Sequence, residues 1–444
     1  MQANASSLSS MGLRALSLGL ALLAAAHFLR WNAPGQAAAC ATLGLAAALA
    51  PRLLPRPLAL LLFAAGGIFW AHLGMELAFM RAAQHLPWLR LILIMGGVSL
   101  AFAAAAVTTA RTRAGDIFGP LDGPAWTKTL AVLLVWGTLR VAQAKAPMPL
   151  LLGERFLPGS APWWEIAFGL YAAWVTGGLL GPRGSTLRAR IWALFSLVFF
   201  GQLFLGLAGW GIFLMTGDLH LPIPALILAG PLYRGHGIFM LLLFGASLLL
   251  VGPAWCSHLC YIGAWDHTMA RLGPQRPRKL PAWASKVRTG ILALTILVPA
   301  ALRASGASTG IALLGAGLFG VGGVAVMVLA SRRLGTMVHC TLWCPMGLVA
   351  NLMGRLLPWR LRITAACTRC GRCLPTCRYS ALSIQDLKKG RPALTCSLCG
   401  DCVRACPHGA MEYAYLGLAP KTARLVFTCL AASLHAVFLA VARI

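Results

Sequence analysis

Apolar runs of about 18 or more residues recur along the chain, each long enough to cross the hydrocarbon core of a bilayer. No other feature constrains the fold so strongly. In lipid every backbone polar group must be satisfied within the protein, so a chain of such runs folds as packed helices. About eleven spans are expected, near 12–29, 36–50, 58–80, 91–109, 129–143, 164–182, 191–214, 237–253, 289–304, 309–330 and 423–441. Composition agrees: charged residues make up 11%, against roughly a quarter in soluble domains, and the mean hydropathy is +0.76. Arg14 followed by an apolar run to Phe28 resembles a secretory signal, but the many later spans favour an uncleaved first helix.

The charge balance is one-sided, with 38 Lys and Arg against 10 Asp and Glu. The basic residues sit in short loops between apolar runs, which fits positive-inside loops and anionic lipid and leaves no role for nucleic acid. So few acids leave little scope for paired-carboxylate hydrolysis. The loop from Arg271 to Arg288, and the stretch with Arg332, Arg333, Arg355, Arg360 and Arg362, are expected in the cytoplasm of a bacterial-type inner membrane. The N-terminus then lies inside and Ile444 outside. Trp31, Trp88, Trp163 and Trp164 fall at span ends, as an aromatic belt does.

The polar segment 361–415 carries the chemistry. Cys367, Cys370, Cys373 and Cys377 follow C-x2-C-x2-C-x3-C, and Cys396, Cys399, Cys402 and Cys406 repeat it 29 residues later, with Pro407 behind. Each run precedes a strand-like segment, ALSI and then AMEYAY. Three thiolates at this spacing wrap one corner of a cubane, and the fourth closes the other cluster. The expected sets are therefore Cys367, Cys370, Cys373 and Cys406 for one [4Fe–4S] cluster, and Cys396, Cys399, Cys402 and Cys377 for a second. Gly371 and Gly400 let the backbone pass close to the sulfides. Zinc draws its ligands as two separated pairs, which this pattern is not. Thiolates in these loops imply a reducing compartment. Segment 362–421 has nine basic residues against Asp386, Asp401 and Glu412; it either meets anionic lipid or an acidic redox partner, or is a solvated basic face that only follows the positive-inside rule.

Two further pairs lie at span ends. Cys256 and Cys260 form C-x3-C in WCSHLCYIGAWD, and Cys340 and Cys344 form C-x3-C-P in HCTLWCPMG. A spacing of four places both thiols on one helical face, and Pro345 suits the first turn of a new helix. Together the pairs offer four soft ligands for one further iron or iron–sulfur centre. Redox-active dithiols and inert packing are the alternatives.

Four spans, two C-x3-C loops and a C-terminal pair of cysteine runs resemble the membrane polyferredoxins of the NapH, NosR and CcoG type, over about residues 190–415. The resemblance implies electron transfer, often from quinol, in a respiratory or cofactor-maturation system. Tyr261 stands where the family's first pair usually has Pro, and Arg378 where the first run does. Arg378 is expected to shape a turn and bind no ligand. The first 186 residues have no counterpart in that family.

Weaker signals remain. His72 and Glu76 lie four apart within the third span, and Asp218, His220 and His236 fall in the loop between spans seven and eight; either set could serve a proton or quinone. Flavin and haem are not expected: Ser305–Thr309 only partly matches a flavin-attachment motif, and His27 and His435 are lone histidines in spans. Cys40 and Cys429 are read as packing.

The sequence thus describes an all-α polytopic membrane helix bundle with a small α+β two-cluster ferredoxin-like module. Residues 1–186 form an N-terminal transmembrane region, 187–360 a four-helix core with the two C-x3-C loops, 361–415 the module and 416–444 a last transmembrane helix. The leading function is electron transfer between a quinone or membrane partner and a redox partner protein. A metal-handling or cofactor-maturation reductase, and a redox-sensing regulator, are the alternatives.

Overall fold

A computed structural model describes residues 2–111, 117–213 and 222–442. It divides into two compact units, Met1–Gly177 and Gly178–Ile444.

The first unit is helical throughout its described residues. Its elements are α1 (Gln2–Arg30), α2 (Pro34–Leu49), α3 (Arg56–Ala83), α4 (Leu89–Arg111), α5 (Gly123–Lys145), α6 (Leu152–Phe156) and most of α7 (Ala161–Leu180). Prolines and caps set the starts. Pro34 opens α2, and the Asp122 side chain accepts from the Ala125 N–H to cap α5. Leu58, Phe63, Trp70, Phe102 and Val132 belong to its core. The buried Arg56 donates to the carbonyls of Thr109 and Ala110 in the last described turn of α4.

The second unit begins with α8 (Gly184–Leu207), followed by α9 (Gly230–Arg234) and α10 (Phe239–Val251). Next come the short α11 (Trp255–His258) and α12 (Tyr261–Leu272). A helical pair, α13 (Ala284–Ala304) and α14 (Thr309–Val326), leads through a π-helical turn at Met327–Ser331 into α15 (Arg332–Leu334). Then come α16 (Pro345–Leu356), β1 (Arg360–Ile363), α17 (Ile384–Lys388), α18 (Asp401–Ala405), β2 (Met411–Ala414) and α19 (Pro420–Val441).

Eight helical stretches among the described residues are long and apolar enough to cross a membrane. Every expected span contains a helix. The three outside the eight differ for local reasons. The helix α2 has 16 residues, while Lys128, Arg140 and Lys145 dilute α5, and Trp163, Trp164 and Glu165 dilute α7.

The two strands pair antiparallel, with Leu361 opposite Tyr413 and Ile363 opposite Met411. These four side chains are buried and join Trp359, Phe427 and Val251 in one core. AMEYAY contains a strand as expected, but ALSI does not. Its Ser383 caps α17 instead, accepting from the Asp386 N–H. The place opposite β2 is taken by β1, which precedes the first cysteine run. A capping serine followed by Ile-Gln-Asp-Leu offers the backbone a helical turn that a strand edge would leave unsatisfied.

Candidate metal centres

The two cysteine runs fold alike. Positive φ recurs at the same three places in each: Arg369 and Leu398, Gly371 and Gly400, Ser380 and Gly409. Each pair is separated by the 29-residue offset of the sequence repeat. A left-handed residue beside right-handed neighbours turns successive backbone N–H groups into one concavity, a nest for anionic sulfur. Glycine meets this need without cost; Arg369, Leu398 and Ser380 meet it without being glycine, and nothing in the sequence marks them.

The cysteines then meet across the runs. Cys367, Cys370, Cys373 and Cys406 line one cavity, and Cys377, Cys396, Cys399 and Cys402 line another. Both cavities are small, about 10 Å³ and about 20 Å³. Among the described residues no three or more of His, Cys, Asp and Glu close around a point as they do on a single metal ion. Burial pushes the Cys377 and Cys396 thiols up to about 12. Such thiols ionise when a metal replaces the proton, so the donor set fits an iron–sulfur cubane. Cys370 is exposed, and the Arg372 backbone N–H directed at its sulfur lowers its pKa.

The C-x3-C pairs form a third convergence. Cys256, Cys260, Cys340 and Cys344 all line one cavity of about 570 Å³, whose other walls include Phe200, Ile223, Trp255, Phe319, Val324 and His339. The spacing of four does not lay each pair on one regular helix, as the sequence suggested. Cys256 sits in α11 and Cys340 in a π-helical turn at His339–Trp343; in both, the chain then leaves the helix. The second cysteine becomes the cap of the next helix, with nearly the same backbone at Cys260 (φ −75°, ψ 110°) and Cys344 (φ −77°, ψ 115°). Pro345 or Tyr261 follows as the first helical residue, so the missing proline leaves the geometry intact.

A glycine three residues on completes each loop. The Gly263 N–H points at the Cys260 sulfur, and the Gly347 N–H at that of Cys344. A Cβ at Gly263 would meet the Cys256 carbonyl at 2.9 Å, and one at Gly347 the Cys340 carbonyl at 2.6 Å. The motif is thus C-x3-C-x2-G, twice, a signal that could have been read from the sequence. Burial raises the thiols of Cys260, Cys340 and Cys344.

Buried polar residues hold these loops. Asp266, fully buried, accepts from Ser331 Oγ (2.6 Å) and from the Cys340 N–H (2.9 Å), and burial pushes its carboxyl up to about 6. Arg288 donates to Asn351 Oδ1 (2.8 Å) and to the Cys340 carbonyl (3.4 Å). Asn351 in turn donates to the Cys396 carbonyl (3.1 Å), and Tyr379 donates to that of Cys256 (3.4 Å). Arg188 reaches from α8 to grip both carboxylate oxygens of Asp401 (3.3 and 2.6 Å) and the Ser257 carbonyl (3.0 Å). The Ser257 hydroxyl donates to the Ser397 carbonyl (3.0 Å). Of these, the Asn351–Cys396, Tyr379–Cys256, Arg188–Asp401 and Ser257–Ser397 bonds run between the helices and the loops around Cys377, Cys396, Cys399 and Cys402. Among the described residues none reaches 364–376 from the helices. Arg378 shapes its turn and also fastens the module, donating to the carbonyls of Pro274 and Gly335 (2.8 Å each).

The weaker sequence signals are not drawn into these sites. His72 Nδ1 and Glu76 Oε2 stand 3.7 Å apart on α3, both more than half exposed. His236 is exposed, between Gly235 and Gly237. Asp218 and His220 lie outside the described residues.

Comparison with protein families agrees with this geometry. Residues 236–279 and 313–364 match a 4Fe-4S binding domain, and residues 366–410 match a 4Fe-4S dicluster domain. No curated protein and no solved structure matched. The second unit therefore contains 4Fe-4S binding domains. Electron transport follows from these domains, in a chain rich in helices able to cross a membrane.

Proposed function

We propose that the protein is a multi-pass electron-transfer protein of a bacterial inner membrane, with its cysteine-rich module on the cytoplasmic side. Cys377, Cys396, Cys399 and Cys402 hold an inner [4Fe–4S] cluster, and Cys367, Cys370, Cys373 and Cys406 an outer one. Cys256, Cys260, Cys340 and Cys344 hold a further iron or iron–sulfur centre at the membrane face. When bound, these groups supply reversible one-electron chemistry whose potential the protein sets through charge, hydrogen bonding and exposure.

The observation that carries the reading is the bridge between two cysteine sites. Arg288 touches the Cys340 carbonyl and Asn351, and Asn351 touches the Cys396 carbonyl. Tyr379, close in sequence to Cys377, reaches the Cys256 carbonyl. Neighbouring sites joined through a few hydrogen bonds suit electron passage, and dithiol chemistry alone has no use for them. The apolar cavity at the four-cysteine site, about 570 Å³, has the size and lining of a small-molecule site and suits a quinone ring entering from lipid.

Anaerobic purification in detergent, with iron and sulfide analysis and EPR, tests the assignment. About eight irons correspond to the module and a reproducible excess, lost in Cys256→Ala, to the third centre. Added quinol should produce reduced-cluster signals. Colourless, iron-free protein overturns the reading, and copper at the four-cysteine site without quinol oxidation points to a metal-handling reductase.

A further inference from the structure

The charges of the module divide by side. On its inner side Asp401 is gripped by Arg188, with Arg404 at 3.7 Å, and at the module's edge Asp386 pairs with Lys279. On the outer side the cations have no such partners. Cys370 is the one exposed cysteine of the eight, and Arg369, Arg372 and His408 around it are exposed too. Across a cleft floored by Gly371 and Leu374 stand the exposed Arg276 and Arg278. Among the described residues none of these four arginines forms a salt bridge. The module's remaining acid, Glu412, is half-buried on β2 opposite Arg362.

Unpaired like charges around one exposed thiol repel one another, so the free protein gains nothing from this arrangement. It gains when an anionic surface arrives. Among the described residues no hydrogen bond from the helices reaches 364–376, so these cations are left to meet an outside partner.

We infer that this outer face docks a soluble electron-carrier protein with an acidic contact surface, centred on Cys370 and framed by Arg276, Arg278, Arg369 and Arg372. The inference rests on the reading that Cys370 is a ligand of the outer cluster. Opposite charges steer such a carrier and fix its orientation, which shortens the path to the most exposed cluster ligand. Rim charges act mainly on encounter, so the interaction should weaken steeply as salt shortens the screening length.

The test uses the full chain in nanodiscs of neutral lipid, kept anaerobic, with an acidic plant-type [2Fe–2S] ferredoxin as the probe. Binding should weaken as ionic strength rises from about 0.01 to about 0.15 M, where the Debye length falls from about 30 to about 8 Å. R369E/R372E should bind about tenfold or more weakly, since like charges then face each other, while R369K/R372K should bind nearly as the parent does. R276E/R278E, on the other wall of the cleft, should weaken binding in the same direction without touching the cysteine loops. Iron and sulfide assays on the same samples separate the two ideas. Iron retained with binding lost supports docking, whereas a parent protein without iron defeats the cluster assignment on which docking rests. Salt-independent binding, absence of binding, or charge-reversed variants that bind like the parent overturn the inference. So does a loss of adhesion to phosphatidylglycerol vesicles with ferredoxin binding unaltered, which would make the face a lipid contact.

Discussion

The two units solve the problem of buried polarity in opposite ways. In the first, helices pack through Ala, Gly, Leu and aromatic side chains, and interior ions are few. Arg56 donates to the Thr109 and Ala110 carbonyls of α4, and Arg140 stands 3.5 Å from the buried Glu165. In the second, Arg188, Asp266, Arg288, Asn351 and Asp401 lie at or near full burial, and each bonds to a cysteine loop or to a neighbour of one. Buried polar groups cost free energy unless satisfied, so a unit that gathers them is organised around something other than stability. The location of the polar interior, rather than helix count, separates scaffold from chemistry.

The comparison breaks first at the cysteines. Cys402→Ala should remove about four irons of the module's eight, while Glu165→Gln should leave iron content unchanged; iron assay decides. Next comes Asp401→Ala, which leaves Arg188 and Arg404 as uncompensated cations. Removing one partner of a buried pair costs about 3–5 kcal/mol, so thermal unfolding in detergent should fall well below that of the parent. A melting curve like the parent's would show that burial of this pair has been misjudged.

Asn351→Leu should cost about 1–3 kcal/mol, because Arg288 and the Cys396 carbonyl lose their shared partner. It should also slow reduction of the inner cluster by quinol at unchanged iron content, in stopped-flow absorbance. Equal rates would remove the bridge from the electron path. In the first unit the expected effects are smaller. Arg140→Ala should cost less than Asp401→Ala, because Arg140 is half exposed, although it leaves the buried Glu165 without its cation. His72→Ala, from a pair open to its surroundings, should shift stability by about 0.5 kcal/mol at most.

Much of this molecule was legible in its sequence. Apolar runs predict helices because lipid leaves the backbone no other partner, and each expected span holds one. The cysteine runs predict their own duplication, and the structure repeats the same left-handed positions at the same offset. Boundaries and cross-chain contacts were less legible. ALSI alternates as a strand does, yet a capping serine turned it into a helix start, because capping competes locally with pairing across the chain. The geometry of the C-x3-C loops was also missed, although Gly263 and Gly347 stand at matching places.

What the sequence determined by itself was the class: apolar helices by hydropathy, iron–sulfur chemistry by thiol spacing. Both are local properties, carried by the residues in one window. Only the tertiary structure decided which groups surround the thiols. Arg188 meets Asp401 across 213 residues, and Asp266 meets the Cys340 amide across 74. No periodicity or spacing encodes such contacts, because they depend on how whole helices pack. The arrangement that joins the four-cysteine site to one side of the module, and leaves Cys370 open on the other, belongs to the fold.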